Sequence, residues 1–132
     1  MQMIIIILGV LCLVFFIENA RELRTFRIRT YRIFSHKLKG IQKKRIVFLS
    51  DLHNCSYGKN NGRLLAAVRR SRPDLILIGG DMLVRKNGTS YAKTLKFLTR
   101  LTAMCPVYYA NGNHEQKLKE EPERYEQSYA AY

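Results

Sequence analysis

Apolar residues in this chain fall into one long block near the N-terminus and three short blocks further along. The long block runs without a charged residue from Met3 to Ile17. The short blocks are Ile46 to Leu49, Leu75 to Ile78 and Val107 to Ala110. Short apolar runs bounded by polar residues are typical of strands that are covered on both faces of a sheet. The pattern therefore predicts three buried strands behind a separate apolar segment.

The stretches between the short blocks have the period of amphipathic helices. Leu64, Leu65 and Val68 share one face of a predicted helix that Pro73 ends, and a second predicted helix brings leucines together over 95–101. Because a β-α-β-α-β order implies right-handed crossover connections, adjacent strands should run parallel. We therefore predict the α/β fold class, with a largely parallel sheet.

The long apolar block is best explained as a membrane-spanning helix. A spanning helix needs about 20 residues, and the block with its flanks approaches this length. A cleavable signal peptide would carry basic side chains ahead of the block, which are absent, and Ile17-Glu18-Asn19-Ala20 is a poor cleavage site. A buried helix that is apolar on all sides does not suit a chain terminus. We assign residues 1–20 to a transmembrane anchor.

A basic juxtamembrane segment follows over 21–44, and its partial alternation over 24–33 suggests a strand. Between Arg21 and Arg45 there are ten Lys or Arg residues and one Glu. Cytoplasmic flanks of membrane segments carry this excess, so we expect a single-pass protein whose folded part is cytoplasmic. The formal net charge of +13 suits a bilayer with anionic lipids, although simple solvation of an exposed segment is the alternative.

Polar residues that can bind metal directly follow each predicted strand. The clusters are Asp51-Leu52-His53, Gly79-Gly80-Asp81 and Asn111-Gly112-Asn113-His114-Glu115. Because the carboxyl ends of parallel strands meet at one edge of a sheet, the three clusters should converge on one crevice. Carboxylate and imidazole ligands together suit Mn, Fe or Zn better than Ca or Mg. Each cluster alone is as typical of a turn, whereas all three at strand ends indicate a metal site.

The three clusters resemble the first three motifs of the calcineurin-like metallophosphoesterase family. The family motifs D-x-H, G-D and G-N-H-E match Asp51-Leu52-His53, Gly80-Asp81 and Gly112-Asn113-His114-Glu115. The neighbouring sequences RIVFLSDLH, PDLILIGGD and PVYYANGNHE are similar to the membrane-associated bacterial branch. The resemblance covers Arg45 to Glu115. It implies that 45–132 is the first half of a metallophosphoesterase α/β sandwich, preceded by the transmembrane helix.

The resemblance also implies a reaction and a role for each polar residue. The protein would be a metal-dependent phosphoester hydrolase with two divalent metal ions, in which hydroxide attacks phosphorus. Asp51 and His53 would bind the first metal, and Asp81 would bridge both. Asn113 would bind the second metal, and the catalytic residue His114 would act near the leaving group. The substrate would be a phosphoester, and the anchor makes a lipid-linked one attractive.

The later motifs of the family have no counterpart in this chain. They are a lone His and then Gly-His-x-His, and no histidine follows His114. The first metal would therefore lack one ligand and the second would lack two. With so few ligands, the cost of removing water from the ion is not fully offset. We expect the chain to be a C-terminally truncated fragment that is inactive by itself.

Composition disfavours a disulfide-rich fold, a cysteine metal site and nucleic-acid binding. The three cysteines are odd in number and show no C-x-x-C spacing, so neither a disulfide framework nor a cysteine zinc site is indicated. Nucleic-acid binding is disfavoured because no aromatic platform or recognition motif accompanies the basic stretch. The alternative to the hydrolase is a non-catalytic, basic membrane-surface module whose α/β part is a relic of the enzyme.

Overall fold

The computed structural model describes residues 2–22, 24–38, 40, 43–84 and 91–120. The chain divides into two units, which are Met1–Arg32 and Ile33–Tyr132. The first unit contains the helix α1, Gln2–Glu22. The second contains a sheet and three helices, together with 3-10 turns at His36–Leu38 and Lys59–Asn61. The metal-site candidates all belong to the second unit.

Helix α1 is long and apolar enough to cross a membrane. At 1.5 Å per residue, its length is about 30 Å, which matches the hydrocarbon thickness of a bilayer. None of its residues is buried within the protein. The residues that follow, 25–35, have no regular secondary structure. The strand suggested for 24–33 is therefore not formed, because a strand without a hydrogen-bonded neighbour leaves its backbone groups unpaired.

Three short strands form a parallel sheet in the order β1-β2-β3. Their bounds are Ile46–Leu49 for β1, Leu75–Ile78 for β2 and Val107–Tyr109 for β3. Leu77 in the central strand lies opposite Phe48 on one side and Tyr108 on the other. The sheet confirms the predicted fold class and places the ends of all three strands at the same edge.

Two amphipathic helices cover one face of the sheet. They are α2, Gly62–Ser71, and α3, Ala92–Thr102. The predicted face of α2 is buried, and α3 buries Phe97 and Leu101. Right-handed crossovers between neighbouring strands put both helices on the same side, and the two helices contact each other. Burial of apolar surface at this face is the main stabilising contribution to the unit. Each Å² of apolar surface removed from water contributes about 25 cal/mol.

The opposite face of the sheet is uncovered in the described structure. Ile76 and Ile78 point toward the helices and are buried, whereas Phe48 is 66% exposed and Tyr108 is 65% exposed. Successive residues of a strand point to opposite faces, so this alternation identifies the covered side. The prediction of strands covered on both faces therefore does not hold for the described residues.

A fourth helix, α4, begins directly after the third strand. It spans Asn113–Glu120, where the sequence indicated only a loop. Its side chain Leu118 forms a small buried cluster with Leu83 and Tyr91, against which Leu95 packs. This cluster holds the N-terminus of α4 at the carboxyl edge of the sheet.

Candidate metal centre

The loops that follow β1 and β2 are joined by backbone hydrogen bonds. The N–H of Asp51 donates to the carbonyl oxygen of Gly80 at 3.1 Å, and the N–H of His53 donates to that of Asp81 at 3.0 Å. One position further on, the N–H of Asn54 donates to the carbonyl oxygen of Met82 at 3.0 Å. The pairing continues past the strands and holds the first two clusters side by side.

Three candidate ligands have a backbone conformation that is unusual for residues with a side chain. The φ angles are 56° at Asp51, 47° at His53 and 52° at Asp81. Strained backbone of this kind costs on the order of 1 kcal/mol per residue and persists where the surrounding structure holds it. Such residues cluster at functional sites. The same conformation also occurs at Asn54, Asn60, Asn61 and Arg72, so it accompanies the three candidate ligands without singling them out.

The same three residues bring their ligand atoms together. One ligand atom each from Asp51, His53 and Asp81 lies within 4.8 Å of the other two. The Nε2 atom of His53 is 3.6 Å from Oδ1 of Asp51. Two carboxylates and one imidazole are a donor set for Mn, Fe or Zn, and their separation fits a single divalent cation. The residues present therefore suit the ion that the motifs imply.

The third cluster lies beside this group. With its amide turned so that the nitrogen donates, Asn113 reaches the two carboxylate oxygens of Asp81 at 2.7 and 3.0 Å. The N–H of His114 donates to Oδ1 of Asp81 at 2.9 Å. The imidazole rings of His53 and His114 meet edge to face, with 5.0 Å between their centres. The structure thus brings all five predicted site residues to one place.

Comparison with known proteins agrees with this geometry. A family model described as calcineurin-like phosphoesterase matches residues 44–132, which is two thirds of the chain. The chain belongs to the calcineurin-like phosphoesterase family. A comparison with curated proteins gave no match. A comparison with solved structures gave none either.

Two glycines allow the phosphoesterase motifs to touch. A Cβ atom on Gly80 would collide with the backbone nitrogen of Gly112, and a Cβ atom on Gly112 would collide with the side chain and nitrogen of Asp81. Gly112 occupies the N-cap position of α4, immediately before its first residue. The side chain of an N-cap residue commonly accepts an N–H of the first turn, but glycine has no side chain. The carboxylate of Asp81, from another loop, accepts the N–H of His114 in its place.

We expect Gly112→Ala to disturb the site by steric collision. The added methyl group would displace Asp81, and overpacking of this kind costs about 1–3 kcal/mol. Gly62→Ala is the matched control, since Gly62 lies at the start of α2 with φ −58° and no atom within 4 Å of an added Cβ. That variant should gain about 0.4–1 kcal/mol. Urea unfolding followed by circular dichroism would separate the two, and equal stabilities would contradict the packing argument.

Glu115 joins two parts of the candidate site, and its sequence motif alone indicated no role for it. Its side chain is 1% exposed. Its Oε2 atom accepts the N–H of Asp81 at 2.8 Å and that of Gly112 at 2.9 Å. Its Oε1 atom accepts the N–H of Leu83 and the hydroxyl of Tyr109, both at 3.0 Å. One buried carboxylate therefore joins the loop after β2 to the start of α4.

A signal for Glu115 exists in the sequence. An acid three residues after a helix N-cap can reach back to the N–H of the cap residue, as in a capping box. Glu115 has this spacing from Gly112. The capping signal can be read only once the N-terminus of α4 is recognised. Asn111-Gly112-Asn113 has the composition of a turn, so the sequence hides the start of this helix.

The environment of Glu115 keeps it ionised. Burial raises the pKa of Glu115, but the hydrogen bonds from the N–H groups of Leu83 and Asp81 and from Tyr109 lower it more, so the net shift is downward. Hydrogen bonds to the charged form of a carboxylate favour that form. Glu115 therefore acts as a fixed negative charge that positions the backbone on which Asp81 is carried.

Proposed function

We propose that this phosphoesterase chain carries one part of a divalent metal centre whose function is the hydrolysis of phosphoesters. The observation that carries the proposal is the convergence of Asp51, His53 and Asp81 within 4.8 Å, at the carboxyl edge of the sheet, in a member of this family. Ligands bind at this edge in open α/β sheets. The alternative, a non-catalytic surface module whose α/β part is a relic of the enzyme, predicts that these residues bind no metal.

Each residue of the centre has a distinct place in the proposed chemistry. Asp51 and His53 would hold one divalent ion, either Mn, Fe or Zn, and Asp81 would share it with a second. Asn113 would serve the second ion, because its side chain lies against Asp81. When bound, such ions lower the pKa of coordinated water and offset charge on phosphoryl oxygens.

His114 is the proposed proton donor to the leaving group. Its imidazole lies beside that of His53, and its backbone is held by the bond to Asp81. Histidine can donate or accept a proton near neutral pH, which suits protonation of a departing alkoxide. A substrate held at the edge of the sheet would lie within reach of this side chain.

The test uses the full chain in detergent with Mn²⁺ and bis(p-nitrophenyl) phosphate. The chain supplies fewer ligands than the family resemblance implies for two ions, so we expect Mn²⁺ binding but hydrolysis no faster than the blank. Metal-dependent hydrolysis that Asp81→Ala abolishes would show that these residues suffice for turnover. Failure to bind Mn²⁺ would contradict the proposed centre.

We also propose that α1 anchors the protein in a bilayer with the catalytic part in the cytoplasm. The length and composition of α1 support the anchor. The ten basic residues between Arg21 and Arg45 support the orientation. Anionic lipids would be the partners of this segment, because basic residues next to a membrane segment are attracted to an anionic surface.

A further inference from the structure

The end of the α/β unit that lies opposite the metal centre is strongly basic. The basic pole, as we name it, comprises Lys43, Lys44, Arg45, Arg69, Arg70, Arg72 and Arg100. All seven are exposed. Arg45 precedes the first residue of β1, and Arg72 follows the last residue of α2. The strands begin at this end of the unit, whereas the metal-site clusters follow the ends of the strands.

Close contacts join the residues ahead of β1 to those ahead of β2 at this end. The N–H of Asp74, just ahead of β2, donates to the carbonyl oxygen of Arg45 at 2.8 Å. The N–H of Arg45 donates to Oδ2 of Asp74 at 2.8 Å, and the Nζ atom of Lys44 is 3.6 Å from Oδ1. Among the described residues at this end, Asp74 is the single acid. It offsets one positive charge and leaves the rest of the basic pole uncompensated.

The two ends of the unit therefore differ in charge. Asp51, Asp81 and Glu115 lie at the carboxyl ends of the strands. The outer faces of α2 and α3 add no acid anywhere along their length. Described bases outside the pole, among them Lys59, Lys93 and Lys117, offset these acids, so the net positive charge is concentrated at the basic pole and gives the unit a preferred orientation at a charged surface.

We propose that the basic pole docks on an anionic bilayer surface and turns the metal centre away from the bilayer, an orientation that favours a water-soluble phosphoester over a lipid-linked one. The chain enters β1 at this pole, arriving from the basic segment 21–44 and the apolar helix α1. A charged pole next to an anchored linker lies within reach of lipid headgroups, where the attraction to Lys and Arg is strongest. The proposal rests on membrane anchoring by α1 and is independent of the hydrolase activity.

The orientation can be measured with single tryptophans, because the chain contains no Trp. Ala103→Trp places a probe at the exposed end of α3, beside the basic pole, and Ser56→Trp places one at an exposed position in the loop after β1. Each full-length variant is inserted into vesicles that contain dansyl-labelled headgroups, and insertion is verified by flotation. Failed flotation would show that the anchor, and with it this proposal, is wrong whatever the Mn²⁺ assay gives.

We expect stronger energy transfer from the Ala103→Trp probe than from the Ser56→Trp probe in phosphatidylglycerol vesicles. The difference should shrink at least about two-fold in phosphatidylcholine or at 1 M salt, where the Debye length falls to about 3 Å. A triple variant of the pole should remove the difference in energy transfer; it combines Arg69→Glu, Arg70→Glu and Arg100→Glu. The control variant combines Lys59→Glu, Lys93→Glu and Lys117→Glu. These substitutions change the net charge by the same amount but lie away from the pole, so the difference in energy transfer should remain.

Several outcomes would overturn the proposal. Equal transfer from the two probes would mean that the unit has no preferred orientation. If the difference in energy transfer persists undiminished in neutral vesicles, the linker and not charge sets the orientation. Loss of the difference in both triple variants would assign it to net charge and not to the pole. Release of the pole by a DNA duplex, in the wild type and in the control variant alike and at an ionic strength that otherwise preserves the difference, would identify nucleic acid as the better partner.

Discussion

Replacement of Glu115 with Gln is expected to lower the free energy of unfolding of the α/β unit by on the order of 3 kcal/mol. The Glu115 carboxylate accepts four hydrogen bonds, three of them from backbone N–H groups of Asp81, Leu83 and Gly112. A glutamine of the same shape would turn an NH₂ group toward some of these donors. The buried N–H groups would then lack acceptors, and the negative charge that strengthens the remaining bonds would be lost.

The measurement is a thermal melt of the full chain in detergent, followed by far-ultraviolet circular dichroism. For a domain of this size, the loss corresponds to a shift in midpoint of more than about 10 °C. Glu120→Gln is the matched control, because Glu120 lies on the same helix and is exposed, with one long contact at 3.4 Å from Gln116. Its midpoint should be unchanged, and a similar drop in both variants would contradict the assigned role of Glu115.

The pH dependence of stability gives a second readout for Glu115. Its pKa is lower in the folded than in the unfolded chain. The stabilisation is therefore complete above the unfolded value of about 4.3 and is lost as pH falls through the folded value. The wild-type chain should lose stability in this acid range more steeply than Glu115→Gln. Parallel curves for the two proteins would show that ionisation of Glu115 does not stabilise the fold.

The Asp81→Asn substitution is expected to weaken Mn²⁺ binding by at least about 100-fold, more than the roughly 10–100-fold typical of outer ligand partners. Asp81 is the carboxylate that lies among the ligand atoms of Asp51 and His53 and also contacts the start of α4. Asparagine keeps the size and one acceptor oxygen, so the N–H of His114 retains a partner. The substitution removes the charge that favours a cation while the fold is kept.

Isothermal titration with Mn²⁺ would measure this effect. Asp74→Asn is the matched control, since it removes an exposed carboxylate at the opposite end of the strands. Its Mn²⁺ affinity should stay within about two-fold of the wild-type value, because a charge more than a Debye length from the centre is largely screened. Equal losses in both variants would show that Mn²⁺ responds to overall charge. An unchanged affinity in Asp81→Asn would remove Asp81 from the centre.

Much of the fold could be predicted from the sequence because the signals are local. Each short apolar block became a strand within one residue of its predicted bounds, and the leucine faces of α2 and α3 are buried as predicted. The strand suggested over 24–33 failed because alternation alone cannot supply a hydrogen-bonded neighbour. Helix α4 was missed because its first residues favour turns, and its burial depends on Leu83 and Tyr91 from distant parts of the chain.

The sequence by itself determined which polar residues follow the ends of the strands, where the proposed metal centre lies, and the order in which the strands present them. Strand ends and motif spacing are local properties of the chain, and parallel strands necessarily share an edge. Only the tertiary structure decided how the three clusters are held. The left-handed backbone at Asp81, the close approach of Gly80 to Gly112 and the buried charge of Glu115 each depend on contacts between segments far apart in the chain, 34 residues in the case of Asp81 and Glu115. Such contacts form only when loops pack in three dimensions, so no local pattern of residues can reveal them.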